Sequence, residues 1–142
     1  MPELARRYIK TGFIFFMVGL LLGLYMIVRK HILGSWPHPQ FITAHVHILL
    51  FGFLMSLIMG VSIWMFPRPR EETDYSPRLA EGIYWFLTLG TTIRFICEVI
   101  TSYTDSRVFD WLVVLGALSQ AVAGFLFVYN MWSRVRPVGK QT

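Results

Sequence analysis

Two histidines within one apolar segment are the residues of this sequence best suited to chemistry. His45 and His47 lie in the run 41–66, which contains no other ionisable side chain. Imidazole nitrogens bind metals and exchange protons near neutral pH, and ionisable residues inside an apolar span are costly and usually functional. Because an α-helix has 3.6 residues per turn, residues two apart differ by about 200° of rotation. We therefore expect the two rings to point in nearly opposite directions and not to bind the same ion.

The two histidines have different neighbours along a helix. Steps of three or four residues from His45 lead through Leu49, Gly52, Ser56 and Gly60 to Ile63, a groove in which small residues recur. Such a groove could be approached closely by a flat macrocycle or by another helix. The same steps from His47 lead along bulky apolar residues, which suit lipid or a second hydrophobic contact. If one histidine is an axial ligand of haem iron, these patterns favour His45, with Gly52 in its groove, and His47 is the other candidate for binding the metal or cofactor, with its role left open. The alternative is that one or both histidines only form hydrogen bonds between helices or to interfacial water.

Arg94 and Glu98 form a second ionisable pair, in the apolar run 82–103. Their i, i+4 spacing puts them on one helical face, at a depth similar to that of His45 and His47 if consecutive spans alternate in direction. We expect Arg94 and Glu98 to pair with each other or with the histidine site. The functional alternatives are that Arg94 supports a haem propionate, that Glu98 orients an imidazole through its free N–H, or that both contact a quinone. Non-haem iron or copper would need more ligands than the sequence offers.

Four long apolar runs must position these residues: 11–28, 41–66, 82–103 and 111–132. A helix needs about 20 apolar residues to cross a bilayer, and an open sheet would leave backbone groups unpaired in lipid. Apolar residues make up 55% of the 142 residues and charged residues 15%, and the mean hydropathy is +0.54. The sequence therefore predicts one all-α membrane domain over residues 1–142, an integral four-helix bundle in the lipid bilayer.

The distribution of Lys and Arg predicts the orientation of the bundle. One side carries nine of them: Arg6, Arg7, Lys10, Arg68, Arg70, Arg78, Arg134, Arg136 and Lys140. The other side carries three: Arg29, Lys30 and Arg107. The positive-inside rule then puts both termini and the middle loop in the cytoplasm, in a multi-pass protein of the cytoplasmic (inner) membrane. The net charge of +5 fits this rule, so we expect no nucleic-acid partner.

One stretch of the sequence resembles a known family. The residues that carry the resemblance are Thr43-Ala44-His45, Phe51, Phe53, Gly60, Trp64 and Pro67. They resemble the second helix of the main subunit (subunit I) of haem-copper oxidases, in which the histidine of the T-A-H element is an axial ligand of the low-spin haem. Ile27-Val28-Arg29 looks like the end of that family's first helix, where an arginine approaches the same haem. The resemblance implies a haem that is held by His45 and approached by Arg29, and we expect it to be b-type.

Departures from that family limit the activity that we expect. The family's later helices carry the copper ligands, the ligand of the active-site haem and the second ligand of the low-spin haem, and the four runs contain none of these. We therefore expect a membrane-embedded b-type haem protein that transfers electrons or binds a small gas such as NO or O2, and not a complete oxidase. The alternative is a non-haem accessory or assembly subunit of a respiratory membrane complex.

A low-spin haem also predicts an assembly of chains. Its two axial ligands lie on opposite faces of the ring, His45 and His47 diverge too far to supply both, and the third and fourth runs contain no histidine. His38 could fold back over the site, although Pro37 and Pro39 restrict it, and a methionine is an alternative without a placed candidate. We expect the second ligand to come from another chain, in a homodimer or in a larger respiratory complex, with a quinone or a cytochrome as the redox partner. Gly19 and Gly23 form a GxxxG pattern, which indicates close helix packing within the bundle or between protomers.

Overall fold

A computed structural model describes residues 1–67 and 75–135 of the chain. Within these residues it contains four long helices and no strand: α1 spans Glu3–His31, α2 Pro39–Met65, α3 Pro77–Thr101 and α4 Arg107–Met131. Each helix is long and apolar enough to cross a membrane. The prediction of an all-α, multi-pass membrane fold is confirmed. Four of the cationic residues that predict the orientation lie outside the described residues: Arg68, Arg70, Arg136 and Lys140.

Each helix begins before the apolar run that predicted it, because backbone hydrogen bonds continue into the polar flank. Pro39 and Pro77 occupy the first turn of α2 and α3. Proline is favoured there because the first N–H groups of a helix have no intrahelical partner, so a missing N–H costs little. The residue before each proline caps its helix. His38 Nδ1 and Ser76 Oγ each accept a hydrogen bond from a backbone N–H of the first turn, at 3.3 Å.

The middle of α2 is π-helical over Ile48–Met55, directly after His47. A π-helix joins backbone groups five residues apart and occurs frequently at functional sites. Both histidines of α2 precede this segment, so ordinary α-helical rotation separates them. Through the segment the buried face of α2 recurs at every fourth residue, at Ile48, Gly52 and Ser56. The π-helical geometry therefore keeps the small residues of α2 turned toward one neighbouring helix.

The helices pack mainly in chain order, α1 on α2, α2 on α3 and α3 on α4. Glycines allow the closest approach of α3 to α4. A Cβ added to Gly90 would lie 2.9 Å from the carbonyl oxygen of Gly116, and one added to Gly116 would lie 2.8 Å from the carbonyl oxygen of Gly90. The two backbones touch because neither residue has a side chain. The same contact brings the Cβ of Arg94 to 2.9 Å from an added Cβ on Gly116.

The buried apolar core lies in the half of the bundle that holds the chain termini. Its members include Ala5, Tyr8, Met59, Ile63, Ile83, Leu87, Ala123 and Met131. Large apolar side chains on the outer faces of α1 and α4 are exposed, for example Leu21 and Phe125, as expected for surfaces that meet lipid. His45 and His47 of α2 and the Arg94–Glu98 pair of α3 lie toward the opposite end of the bundle from this core.

Arg134 caps the C-terminal end of α2. Its Nη2 donates to the carbonyl oxygens of Phe66 at 2.8 Å and of Ile63 at 3.1 Å, and its Nε donates to that of Pro67 at 3.0 Å. The last carbonyl groups of a helix have no intrahelical partner, so a guanidinium directed at them satisfies groups that would otherwise need water. Arg134 thus ties the end of α4 to the end of α2.

Candidate functional site

His45 is held by α1. Its Nδ1 lies 2.9 Å from the backbone carbonyl oxygen of Gly19. A carbonyl oxygen only accepts, so Nδ1 carries the proton and donates it. The other ring nitrogen, Nε2, makes no hydrogen bond with any described residue, and in the neutral imidazole it has a lone pair for a ligand. An imidazole that is fixed through one N–H while its second nitrogen is free has the arrangement typical of metal-binding histidines.

Gly23, one turn from Gly19 in α1, makes room for this imidazole. A Cβ at position 23 would lie 2.8 Å from Cε1 and 3.5 Å from Nε2 of His45. Any side chain there would force the ring to move. The GxxxG pattern of α1 therefore serves packing within this chain, because Gly19 offers its carbonyl group to His45 and Gly23 leaves the space that the ring occupies.

The groove of small residues on α2 is filled by α1. A Cβ on Gly52 would lie 2.7 Å from Cγ of Phe15, and a Cβ on Gly60 would lie 2.8 Å from Cβ of Tyr8. Ser56, between the two glycines, is 1% exposed. Of the two occupants that the sequence left open for this groove, a helix is the one that the structure places there. Gly52 contacts Phe15, so a cofactor could reach it only if α1 moved.

His47 lies against α3, so the two histidines of α2 contact different helices. Its Nε2 is 2.9 Å from Nη2 of Arg94, and its Nδ1 is 3.1 Å from Oε1 of Glu98. A guanidinium only donates, so Nε2 is the acceptor and Nδ1 carries the proton that is donated to Glu98. Arg94 Nε donates to the same Oε1 at 2.9 Å. The predicted pairing of Arg94 and Glu98, with each other and with a histidine of α2, is confirmed.

The hydrogen bonds continue from Arg94 into α4. Gln120 Oε1 accepts from Arg94 Nη1 at 3.0 Å, and Gln120 Nε2 donates to Thr91 Oγ1 at 3.0 Å. We refer to His47, Thr91, Arg94, Glu98 and Gln120 as the polar network. The sequence reasoning missed Gln120, although an amide inside the uncharged run 111–132 was a usable signal, since polar side chains in membrane spans form hydrogen bonds between helices. The polar network joins α2, α3 and α4.

Arg29 lies near the end of α1, six residues beyond Gly23. Its Nη1 donates to the hydroxyl of Tyr25 at 3.5 Å, and its Cζ is 5.9 Å from the centre of the Tyr25 ring. Its Nε is buried and has no hydrogen-bond partner among the described residues. A buried guanidinium N–H without an acceptor is available to an anion such as a carboxylate. Arg29 therefore keeps one N–H without a partner among the described residues, and it makes no hydrogen bond to the polar network.

The side chains that could bind a metal limit the kinds of metal centre that this chain can hold. In the described ranges 1–67 and 75–135, no group of three or more His, Cys, Asp or Glu side chains is arranged to hold a metal ion. Haem iron needs fewer protein ligands, because the porphyrin occupies four positions and the protein supplies axial ligands. His45 presents a free ring nitrogen, whereas both nitrogens of His47 are engaged. The residues fit a haem that takes one axial imidazole from this chain.

Comparison with known proteins gives an independent line of evidence. The family model of cytochrome c and quinol oxidase polypeptide I matches residues 3–141 of the chain. A probable cytochrome c oxidase subunit 1-alpha of Streptomyces coelicolor is 32% identical over 92 residues, which cover 61% of this chain and 16% of that relative. The chain therefore spans much less than two thirds of that relative's length. No solved structure matches the chain at a significant level.

Proposed function

We propose that this chain, which belongs to the family of cytochrome c and quinol oxidase polypeptide I, is a b-type haem protein of the cytoplasmic (inner) membrane with His45 as an axial ligand. The observation that supports the proposal is the hydrogen bond of 2.9 Å from His45 Nδ1 to the carbonyl oxygen of Gly19. This bond fixes the tautomer and the orientation of the ring. It leaves Nε2 as the atom that binds iron.

Two further features of α1 fit a haem beside His45. Gly23 leaves the imidazole its space, and Arg29 has a buried Nε without an acceptor, which suits a propionate. The bound group would supply an iron that alternates between two oxidation states or takes up a diatomic gas. The chain's own residues bind and orient it, His45 through Nε2 and Arg29 through its guanidinium.

His47 has a different part in this proposal. Both of its ring nitrogens are engaged, so it could bind iron only by giving up Arg94 or Glu98. We assign to the polar network the task of holding α2 against α3 and α4, two residues from the proposed ligand. Arg94 and Glu98 then support the site through His47 and do not contact the cofactor themselves.

The second axial position distinguishes two kinds of haem protein. Of the other histidines, His38 caps α2 through its Nδ1 and His31 lies in the last turn of α1. We propose that a second copy of the chain, or a larger respiratory subunit, covers the face that carries His45 and supplies the second ligand. A six-coordinate haem would then transfer electrons with a quinone or a cytochrome as partner, whereas an open position would bind NO or O2.

The packing of α1 on α2 favours a second candidate function. Because Phe15 and Tyr8 fill the groove at Gly52 and Gly60, a haem has to lie at the surface of the α1–α2 pair and not inside it. A chain without haem would use the same apolar surfaces to pack against other subunits. The second candidate is therefore a non-haem accessory or assembly subunit of a respiratory membrane complex, in which His45 only joins α2 to α1.

An absorption spectrum of the purified protein, oxidised and then reduced, tests the two candidates against each other. Protein produced with an ample supply of haem is expected to show a Soret band and, after reduction, the α band of a b-type haem. A preparation without a Soret band would reject the haem proposal and leave the accessory role. Pyridine haemochrome analysis of the same sample identifies the haem type.

A further inference from the structure

Glu98 uses only one of its two carboxylate oxygens in the polar network. Oε1 accepts from Arg94 Nε at 2.9 Å and from His47 Nδ1 at 3.1 Å. Oε2 is buried and has no hydrogen-bond partner among residues 1–67 and 75–135. The whole side chain is 1% exposed. Buried polar atoms are nearly always hydrogen-bonded, so an unpaired carboxylate oxygen indicates a donor that is not part of this chain's described residues.

The position of His47 explains why Oε2 of Glu98 has no hydrogen-bond partner among the described residues. A carboxylate beside a guanidinium frequently takes two parallel N–H groups, one on each oxygen. Here Nη2 of Arg94 donates to His47 Nε2 at 2.9 Å, and His47 Nδ1 donates to the oxygen that Arg94 Nε already uses. The imidazole is inserted into the ion pair. As a result one oxygen of Glu98 has two donors and the other has none.

We propose that Glu98 Oε2 binds a single buried water molecule. Buried waters in proteins typically make about three hydrogen bonds to polar groups that would otherwise lack partners. Arg94 supplies donors for the water oxygen, because a guanidinium has five N–H groups and three of them are used in the polar network.

A polar cavity lies at the end of α3 that is nearest to Glu98. The cavity has a volume of about 370 Å³ and lies where α3 ends and α4 begins, with Thr101, Asp105 and Asp110 in its lining. Thr101 also donates through Oγ1 to the backbone carbonyl oxygen of Glu98, at 2.9 Å. Glu98 is three residues from the end of α3, which is about 4.5 Å along the helix axis. The backbone of Glu98 is therefore about one helical turn from the end of α3 that this cavity adjoins.

Water-edited solid-state NMR of the full chain in lipid bilayers tests the proposal, whether or not haem is bound. Magnetisation starts on water protons, and its arrival at the side-chain carboxyl carbon of Glu98 is recorded. Gln120 is the internal control, because it is buried in the same network and both of its amide atoms have protein partners. Transfer to Glu98 but not to the Gln120 amide carbon is expected. Equal absence of transfer at both carbons would overturn the proposal.

The variant His47→Phe tests the cause that we assign to the unpaired oxygen. Without the imidazole, Nη2 of Arg94 is free to pair with Oε2, and the phenyl ring fills the space. The water signal at Glu98 is expected to fall to the level of Gln120. A signal of unchanged strength in a folded His47→Phe protein would overturn the role given to His47. The wild-type measurement decides the water site even if this variant does not fold.

Discussion

His45 and His47 are two positions apart in α2, and the groups that they contact give their imidazoles different hydrogen-bonding roles. The carbonyl oxygen of Gly19 can only accept, so His45 Nδ1 is the donor, and Nε2 has no hydrogen-bond partner among the described residues. Arg94 can only donate, so His47 Nε2 accepts its hydrogen bond, and His47 Nδ1 donates a hydrogen bond to Glu98. At the residue scale, which ring nitrogens of each histidine are engaged thus follows from whether its neighbours are donors or acceptors.

Replacement of each histidine by alanine separates these roles. His45→Ala is expected to remove the haem almost completely, because it deletes the proposed iron ligand. His47→Ala is expected to weaken binding by about 10- to 100-fold, as for residues that support a ligand indirectly. The haem-to-protein ratio of the purified variants measures both effects. Equal loss in the two variants would instead point to two haems or to a shared role at an interface.

Replacing one residue of the Arg94–Glu98 ion pair is expected to destabilise the protein more than replacing both. Arg94→Leu or Glu98→Leu should each lower the free energy of unfolding by about 3–5 kcal/mol, because the remaining buried charge is uncompensated. The double variant should lose less, since no lone charge remains. Thermal unfolding in detergent, with the haem spectrum recorded alongside, measures the three variants. Single variants with unchanged stability and spectrum would show that the pair has no energetic role.

At the scale of elements, α1 positions the imidazole of His45, the proposed ligand, and α3 contacts the opposite face of α2. Glycines in α1 hold His45, and the side chains of Phe15 and Tyr8 fill the small-residue groove of α2. The π-helical segment Ile48–Met55 keeps that groove turned toward α1 below the histidines. The orientation of His45 therefore depends on how closely α1 can approach α2.

Gly23→Ala tests that dependence. The added methyl would lie 2.8 Å from Cε1 of His45, so the ring must shift, and overpacking of this kind costs about 1–3 kcal/mol. We expect lower haem content and lower thermal stability. Gly124→Ala in α4 is the matched control, because its Cβ would meet no atom within 4 Å. The control should keep its haem and gain a little helix stability. Equal haem content and equal thermal stability of the two variants would mean that Gly23 does not determine the position of the His45 ring.

At the scale of the whole molecule, apolar and polar interiors occupy different halves of the bundle. The apolar core lies toward the termini, where Arg134 also ties α4 to α2. The polar network and His45 lie toward the other end, which the Lys and Arg distribution predicts to be the outer face. The exposed apolar faces of α1 and α4 are the surfaces that lipid or other subunits cover.

The predicted orientation can be measured by cysteine labelling. Trp36 is 74% exposed between α1 and α2, and Val135 is 66% exposed after α4. In intact cells, Trp36→Cys is expected to react with a membrane-impermeant maleimide, whereas Val135→Cys should react only after permeabilisation. The native Cys97 is buried and serves as background. Labelling of position 36 from the inside alone would refute cytoplasmic termini.

Native mass spectrometry in mild detergent tests the proposed assembly. A second axial ligand from another chain predicts that a six-coordinate haem occurs only in a dimer or in a complex with a larger subunit. His45→Ala should then weaken the haem-containing assembly together with haem binding. A monomer that holds a six-coordinate haem would exclude the partner-ligand model, and a five-coordinate haem in a monomer would favour gas binding.

The sequence by itself determined the class of the fold and the fact that the side chains of His45 and His47 point in nearly opposite directions. Four apolar runs of sufficient length predict four helices, because a bilayer leaves a spanning chain few other ways to pair its backbone. The divergence of His45 and His47, and the shared face of Arg94 and Glu98, depend only on rotation within one helix. Residues near each other in one helix are placed by local geometry, so these predictions needed no knowledge of packing.

Only the tertiary structure decided which helix each of these residues meets. It put Gly19 and Gly23 against His45, filled the groove at Gly52 with Phe15, and added Gln120 to the polar network. These contacts join residues of different spans, and the hydropathy of a span does not specify which of its faces meets which neighbour. That choice depends on the fit of side chains between helices, because lipid solvates apolar faces as well as another helix does.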